Sequence, residues 1–246
     1  MIKVGITGSQ GFVGYHLYQT LALHKQEFAL IEFDRSFFDD NQTLDDFVSS
    51  CDVIVHLAAL NRHNDPQFIY ESNTLLVKSL VASLKRTASK AHLIISSSTQ
   101  EERDNLYGKS KKEGRLLLSE WSNQWGGSLS GLVIPNVFGP FGHPHYNSVI
   151  ATFCHQIARD KTPKIDVDGE LKLIYVGNLV DKILQVIRSN DNTHELIIPH
   201  TAEAKVSEIL SLLQYFRKSY QDDGEIPILV SPHHLDMIFE NIVIKI

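Results

Sequence analysis

Tyr107 and Lys111 stand four residues apart in the segment YGKSK, a spacing that puts both side chains on one face of a helix. A phenol held beside an ammonium suits proton transfer. When hydride reaches a carbonyl carbon the oxygen needs a proton, and a tyrosine gives one readily if a neighbouring ammonium stabilises the phenolate left behind. Upstream, the run Ser96, Ser97, Ser98 closes an apolar stretch, and Ser98 supplies a hydroxyl that can orient the carbonyl and bond the developing oxyanion. Taken singly, Tyr107 reads as a residue packed on a loop and Lys111 as half of a surface ion pair. Their combination with the serine-rich strand end is what points to chemistry. Asn73, on a long helical pattern farther upstream, either anchors backbone or holds a proton-relay water, with helix solvation as the plain alternative.

Gly8, Gly11 and Gly14 occupy GSQGFVG between an apolar run and a helical pattern. Glycines there permit a tight turn, close approach of backbone to a pyrophosphate and close helix packing, while the unpaired N–H groups of the helix N-terminus favour an anion. A structural turn alone would also use three glycines; the strand, turn and helix setting points to a dinucleotide. Asp34 follows the second apolar run at the distance where a carboxylate accepts the ribose hydroxyls of NAD. Arg35 beside it can stack on adenine or neutralise a ribose 2′-phosphate, so the pair leans to NADP(H) without excluding NAD(H). An ordinary solvated Asp/Arg pair is the alternative. His56 in HLAA reads as a packed or orienting histidine, and Ala58 and Ala59 offer small side chains beside which a cofactor can lie close to the sheet edge.

Periodicity supplies the elements that must carry these residues. Strands are expected at Ile2 to Thr7, Phe28 to Phe33, Asp52 to Leu57, His92 to Ile95 and in LSGLVI. Helices are expected at Phe12 to Leu23, Leu44 to Val48, from Pro66 through Leu84, and from Gly108 to Trp125. Four consecutive alternations of strand and helix predict an α/β fold, a Rossmann-like doubly wound parallel sheet with helices on both faces. Beyond Pro135 the pattern loosens into a Gly/Pro/His loop from Gly139 to Asn147, a helix from Ser148 to Arg159, short strands at Ile165 to Val167 and Leu171 to Val176, and a helix to Arg188. These pieces suit a small C-terminal substrate-binding cap. His194 to Ile198 is read as returning to the main sheet and Lys205 to Tyr220 as helical, while the tail LDMIFENIVIKI fits a closing core element, an interface or an edge equally well. The expectation is one unit over 1–246, with 1–135 mainly the dinucleotide-binding core and 136–246 mainly cap and closing elements.

At 246 residues, 43% apolar and 21% charged, the chain has material for a single sizeable core. Its formal net charge of −6 and lack of a dense Lys/Arg block argue against nucleic acid as a partner. The two cysteines, Cys51 and Cys154, form neither a disulfide framework nor a zinc-ligand cluster and read as buried thiols. No long apolar run implies a membrane span, and the N-terminus has no charged leader, so a cytoplasmic protein is expected.

Together GSQGFVG, HLAA, SSS and YGKSK, in that order, resemble the extended short-chain dehydrogenase/reductase family, particularly its sugar-nucleotide-modifying branch, over roughly residues 1–185. The resemblance implies catalytic roles for Ser98, Tyr107 and Lys111 and a relay role for Asn73. The nine-residue interval from Ser98 to Tyr107 is shorter than in most extended members. That short interval, LNRH at Leu60 to His63, and PNVFG followed by HYNSVIATFCHQIA are similar to the capsule-polysaccharide UDP-sugar reductases of the CapF/WbjC type. This narrower resemblance implies reduction of the C4 ketone of a UDP-linked 4-keto-6-deoxy-N-acetylhexosamine, with hydride arriving at sugar C4 from a nicotinamide, typically NADPH, and Tyr107 protonating the oxygen. Cofactor contacts are implied for Phe12, Val13, Leu57 and Pro135 beside the glycines, Asp34, Arg35, Ala58, Ala59, Tyr107 and Lys111. Sugar-nucleotide contacts are implied for Arg62, Ser98, Thr99, Asn136, Phe138, Tyr146, Asn147 and Ser148, although loop packing explains Pro135 and Tyr146 equally well. A homodimer is also implied. Full-length reductases of this type carry a C-terminal cupin domain with a metal site, for which 246 residues leave no room, so the expectation covers only the nicotinamide reduction half.

Three other readings compete. An epimerase or dehydratase uses similar cofactor chemistry, but a dehydratase of this family usually has an Asp-Glu pair after the catalytic Ser or Thr, where this chain has Thr99 and Gln100. Glu101 lies one position later, and a shifted loop would partly rescue that reading. A second possibility is a regulatory protein that binds a dinucleotide without turning over substrate. Metal-assisted hydrolysis around His143 and His145 lacks a convincing third ligand, so no metal is expected.

Overall fold

The computed structural model describes residues 1–146 and 148–225. Along the chain it contains β1 (Ile2–Thr7), α1 (Phe12–Leu23), β2 (Phe28–Ile31), α2 (Asn41–Ser50), β3 (Val53–His56), α3 (Pro66–Arg86), β4 (His92–Ser98), α4 (Leu106–Trp125), β5 (Leu129–Ile134) and β6 (Asn136–Phe138). There follow α5 (Val149–Ile157), β7 (Glu170–Tyr175), α6 (Val176–Ser189), β8 (Thr193–Ile197), β9 (Ala202–Lys205) and α7 (Val206–Arg217). The described residues divide into two compact units, Met1–Ile134 with Val180–Ile198, and Pro135–Leu179 with the described residues from Pro199 onward. Residues 180–198 thus return to the first unit after the chain has entered the second.

In the first unit six strands pair in parallel in the order β2-β1-β3-β4-β5-β8. The doubly wound α/β expectation holds. Because β1 and β2 pair on one side and β3 returns past β1 to the other, right-handed crossovers send α1 and α2 to opposite faces. Phe47 and Val48 of α2, Val77, Leu80 and Leu84 of α3, and Leu118 and Trp121 of α4 share one buried cluster with Ile54, Leu93 and Ile95 of the sheet. β3 is buried throughout, which is why its VIVH run is continuous and does not alternate.

Local chemistry fixes where the helices begin. Asp65 caps α3 by accepting the Gln67 N–H at 2.9 Å, and Pro66 fills the first helical position, where a missing N–H costs nothing. Asn105 caps α4 through the Gly108 N–H at 2.7 Å, and Gly126 ends that helix in the left-handed conformation. β2 stops at Ile31, short of the expected Phe33, whose ring instead joins Phe37, Phe38 and Phe47 at centroid distances of 5.4, 5.2 and 4.8 Å.

The second unit contains a three-stranded sheet in the order β6-β7-β9, parallel between β6 and β7 and antiparallel between β7 and β9. Phe138, Phe153, Leu173, Ile209, Leu213 and Phe216 centre its core. Ile165 to Val167, expected as a strand, is not one: Ile165 packs onto that core and Val167 is 78% exposed. β6 and β9 were not anticipated because three or four residues, polar in the case of AEAK, give too little periodicity to read. Ser148 serves as the N-cap of α5, its Oγ accepting the Ala151 N–H at 3.2 Å, and Asn136 donates to the Lys172 carbonyl at 3.1 Å. Phe138 is 1% exposed and packs in that core. Asn147 and the tail segment LDMIFENIVIKI lie outside the described residues. Both cysteines are free and buried, and burial pushes each thiol up to about 12, which keeps them protonated and unreactive.

Candidate active site

The carboxyl ends of β1, β3 and β4 carry the glycine turn, HLAA and the serine run, at the edge where an open α/β sheet binds ligands. Gly8 has φ +79°, and a Cβ there would lie 2.8 Å from the Ala58 nitrogen. A Cβ on Gly14 would lie 2.1 Å from the Gly8 carbonyl oxygen, so only glycine lets α1 start this close to the turn. Gly11 is the N-cap of α1 and brings no side-chain acceptor to the first-turn N–H groups, which suits a pyrophosphate. Phe12 and Val13 open that helix half-buried, and Ala58 backs Gly8. Asp34 and Arg35 are exposed after β2; Asp34 Oδ1 accepts the Ser36 hydroxyl at 2.6 Å and its N–H at 2.8 Å. Those two bonds hold its carboxyl below the ordinary range, leaving an ionised acceptor at neutral pH. These residues fit a nicotinamide dinucleotide.

His56 is an orienting residue. Its Nδ1 lies 2.8 Å from Thr7 Oγ1, which also accepts the Ala58 N–H at 3.4 Å, while Leu57 N–H bonds the Thr7 carbonyl at 3.0 Å. Burial and the Lys111 charge press its pKa to about 3, so the imidazole is neutral and joins HLAA to β1 without moving protons.

Ser98 ends β4, and its Oγ accepts the Gln100 N–H at 3.1 Å, capping the short 3-10 turn Thr99–Glu102. A Cβ on Gly108 would fall 2.0 Å from the Gln100 carbonyl oxygen. Gly108 thus lets the first turn of α4, which carries Tyr107, press directly on the turn that follows Ser98. Lys111 is 7% exposed and donates from Nζ to Ser96 Oγ at 3.2 Å; Ser96 in turn donates to the His56 carbonyl at 3.3 Å. Burial pulls the Lys111 ammonium down to about 8, opposed by the Glu101 charge. A lysine balanced there is a cation at neutral pH, able to stabilise a phenolate on the same helix face.

Asn73 is 4% exposed and acts through its amide as a clamp. Its Oδ1 accepts the Leu60 N–H at 2.6 Å, and its Nδ2 donates to the Leu60 carbonyl and to Ser110 Oγ, both at 3.0 Å. Ser110 passes the link to the Tyr107 carbonyl at 2.7 Å. Of its two expected roles, the amide fills that of a backbone anchor. Ser110 and Arg115 were given no role by motif reading, although Tyr107, Lys111 and Arg115 form a visible stripe at four-residue steps. Thr99 and Arg62 are exposed, and Tyr146 is half-buried in the second unit.

Glu101 does not rescue the dehydratase reading. Both carboxylate oxygens are engaged by Arg115, at 2.9 and 2.6 Å, and Ser97 donates to one of them. Burial pushes its carboxyl up, but the Arg115 and Ser97 bonds outweigh that and hold it low. A buried ionised carboxylate in a guanidinium fork is a poor proton donor. Among the described residues no three His, Cys, Asp or Glu side chains converge as a metal site, and no helix is long and apolar enough to cross a membrane. His145 instead meets His155 edge to face at 5.5 Å.

A parallel doubly wound sheet with a glycine turn and a helix face carrying half-buried Tyr107 and buried Lys111 defines a dinucleotide-binding α/β protein. Residues 4–198 match the NAD dependent epimerase/dehydratase family, and the chain belongs to that family. It is 32% identical over 220 residues to the UDP-2-acetamido-2,6-beta-L-arabino-hexul-4-ose reductase of Pseudomonas aeruginosa, covering 89% of this chain and 58% of that protein. The capsular polysaccharide assembling protein CapF of Staphylococcus aureus superposes with a TM-score of 0.78 at 30% identity, over 98% of this chain and 63% of that one. The chain thus spans less than two thirds of the length of either. RMD from Pseudomonas aeruginosa, solved with NADPH, superposes with a TM-score of 0.83 over 100% of this chain and 97% of its own at 20% identity, which supports the fold.

Proposed function

We propose that this chain reduces the C4 ketone of a nucleotide-linked 4-keto-6-deoxy sugar, derived from UDP-N-acetylhexosamine, with NADPH used in preference to NADH. The observation that carries the proposal is the buried Lys111 on the Tyr107 face of α4, tied to the end of β4 through Ser96. The similarity to a reductase of a UDP-linked hexulose supports the substrate class.

The bound nicotinamide would supply the hydride. The glycine turn and the α1 N-terminus would hold the pyrophosphate, Arg35 would neutralise the 2′-phosphate of NADPH, and Asp34 would accept from the ribose hydroxyl that remains free. Ser98 donates to the ketone oxygen, with Thr99 and Arg62 on the sugar-nucleotide side. Tyr107 delivers the proton to that oxygen, and Lys111 stabilises the phenolate that remains. Asn73 holds the loop after HLAA and, through Ser110, the Tyr107 backbone. A cytoplasmic homodimer belongs to the same reading.

Incubation with UDP- and dTDP-4-keto-6-deoxy sugars and either reduced nicotinamide, with product analysis, tests it. Consumption of NADPH with formation of a 4-hydroxy sugar is the expected result. A stoichiometric cofactor complex that oxidises no cofactor with any of these sugars would favour the regulatory alternative.

A further inference from the structure

The interval from Ser98 to Tyr107 is bridged by a buried ion pair that the reductive chemistry itself does not use. Glu101 and Arg115 side chains are 4% and 6% exposed, and Arg115 grips both carboxylate oxygens through Nε and one terminal nitrogen. The other terminal nitrogen reaches the His194 carbonyl at 3.3 Å and Glu195 at 2.9 Å on β8. Ser97, next to Ser98, donates to Glu101. Gly131 on β5 makes room for the arginine stem, since a Cβ there would sit 2.8 Å from Arg115 Cδ. Arg115 lies one turn beyond Lys111 and two beyond Tyr107 on the same face of α4.

Building on the reading of Tyr107 and Lys111 as proton donor and electrostatic partner, we infer that Glu101 and Arg115 are a positioning pair: their fork locks the turn after Ser98 onto α4, and Glu101 sets a fixed negative charge beside Lys111. Two devices then hold the short interval. The Gly108 contact sets the spacing at Gln100, and the fork fixes the next residue, so Ser98 and Tyr107 are each within two residues of a rigid contact. A guanidinium fork fits a carboxylate in one geometry, which an ammonium does not impose.

The charge has a second consequence. Lys111 interacts with Glu101 from the turn, neutral His56 from β3 and the Ser96 hydroxyl from β4, and shares its helix face with Tyr107; the uncharged Asn73 amide of α3 bonds Ser110 on the adjoining position of α4. Arg115 is a further cation one turn on, paired to Glu101 and Glu195. Glu101 is thus the group that opposes the desolvation of the ammonium.

The test compares wild-type holoenzyme with E101Q, which keeps shape and removes charge, and R115K, which keeps charge and removes the fork. In both variants kcat falls about 10- to 100-fold while KM for the sugar changes by less than about 3-fold, since misplacement acts on the reacting geometry. In E101Q alone the alkaline limit of kcat moves to lower pH, and the 13Cε resonance of Lys111, assigned by its loss in K111M, titrates at lower pH in the same protein without sugar. Folded E101Q with wild-type kcat and an unmoved Lys111 titration overturns the inference. If E101Q does not fold, R115K decides: lower kcat at constant KM supports the pair, and wild-type kcat overturns it. Should the wild type reduce none of the sugars, the proposed function falls, and the sugar-free Lys111 titration still decides this inference by its shift or its absence.

Discussion

Asn73 on α3 binds both backbone polar groups of Leu60, its Oδ1 2.6 Å from the N–H and its Nδ2 3.0 Å from the carbonyl oxygen. One side-chain amide thereby replaces a missing strand partner for the loop after HLAA. The same amide bonds Ser110, so the cofactor side of the sheet edge and the Tyr107 helix turn share a single anchor.

Asn73→Ala leaves a backbone donor and acceptor of Leu60 without their partner, at a cost of about 1–3 kcal/mol for each one left buried. The thermal midpoint falls and NADPH binds more weakly. Asn73→Asp restores only the acceptor for the Leu60 N–H, because its second carboxylate oxygen would face the Leu60 carbonyl. Calorimetry and cofactor fluorescence titration check both variants; wild-type values for Asn73→Ala would remove the clamp role.

Tyr107→Phe deletes the proton donor and keeps the ring. The kcat falls by about 10²- to 10⁴-fold, the usual worth of a positioned acid, with NADPH affinity and thermal midpoint close to wild type. Steady-state kinetics beside a melting curve check it, and unchanged turnover ends the assignment.

The pH dependence follows from Lys111. Its ammonium, pulled to about 8, is present below that pH and lost above it. Support for the phenolate disappears with it, so kcat in the reducing direction declines as pH rises through about 8, as a property of the coupled Tyr/Lys pair. His56, at about 3, stays neutral throughout and adds no limb near neutrality. A kcat profile flat across that range would contradict the assigned roles.

What the sequence made legible is what period and motif encode. VIVHL announced a central parallel strand because burial on both faces removes alternation, and GSQGFVG announced its turn because helix and strand come closer there than any Cβ allows. The tertiary wiring was not legible. Nothing local to Glu101 reveals that Arg115 occupies both its oxygens, and nothing local to Asn73 reveals that Leu60 is its partner. The burial of Phe138 was not legible either, because an apolar residue beside a Gly/Pro-rich loop looks the same from sequence whether it is exposed or fills a core.

Gly14→Ala places a methyl 2.1 Å from the Gly8 carbonyl oxygen, where backbone must move. Overpacking of this kind costs about 1–3 kcal/mol, and the shifted turn no longer presents its amides to a pyrophosphate. A lower thermal midpoint with loss of saturable NADPH fluorescence is expected.

Arg35→Ala separates the two nicotinamides. Losing a charged contact to the 2′-phosphate lowers kcat/KM for NADPH relative to NADH by about 10-fold or more. Asp34→Ala moves the ratio the other way. An unchanged ratio in both variants would return the pair to the solvated surface.

The central claim is that hydride goes to sugar C4 while Tyr107 protonates the oxygen. Its most direct measurement is the reaction of a UDP-4-keto-6-deoxy-N-acetylhexosamine with NADPH deuterated at the nicotinamide C4, followed by mass spectrometry and NMR of the product. The account predicts one equivalent of cofactor oxidised and one deuterium at C4 of a 4-hydroxy sugar. Recovery of unlabelled sugar without net cofactor oxidation would contradict it.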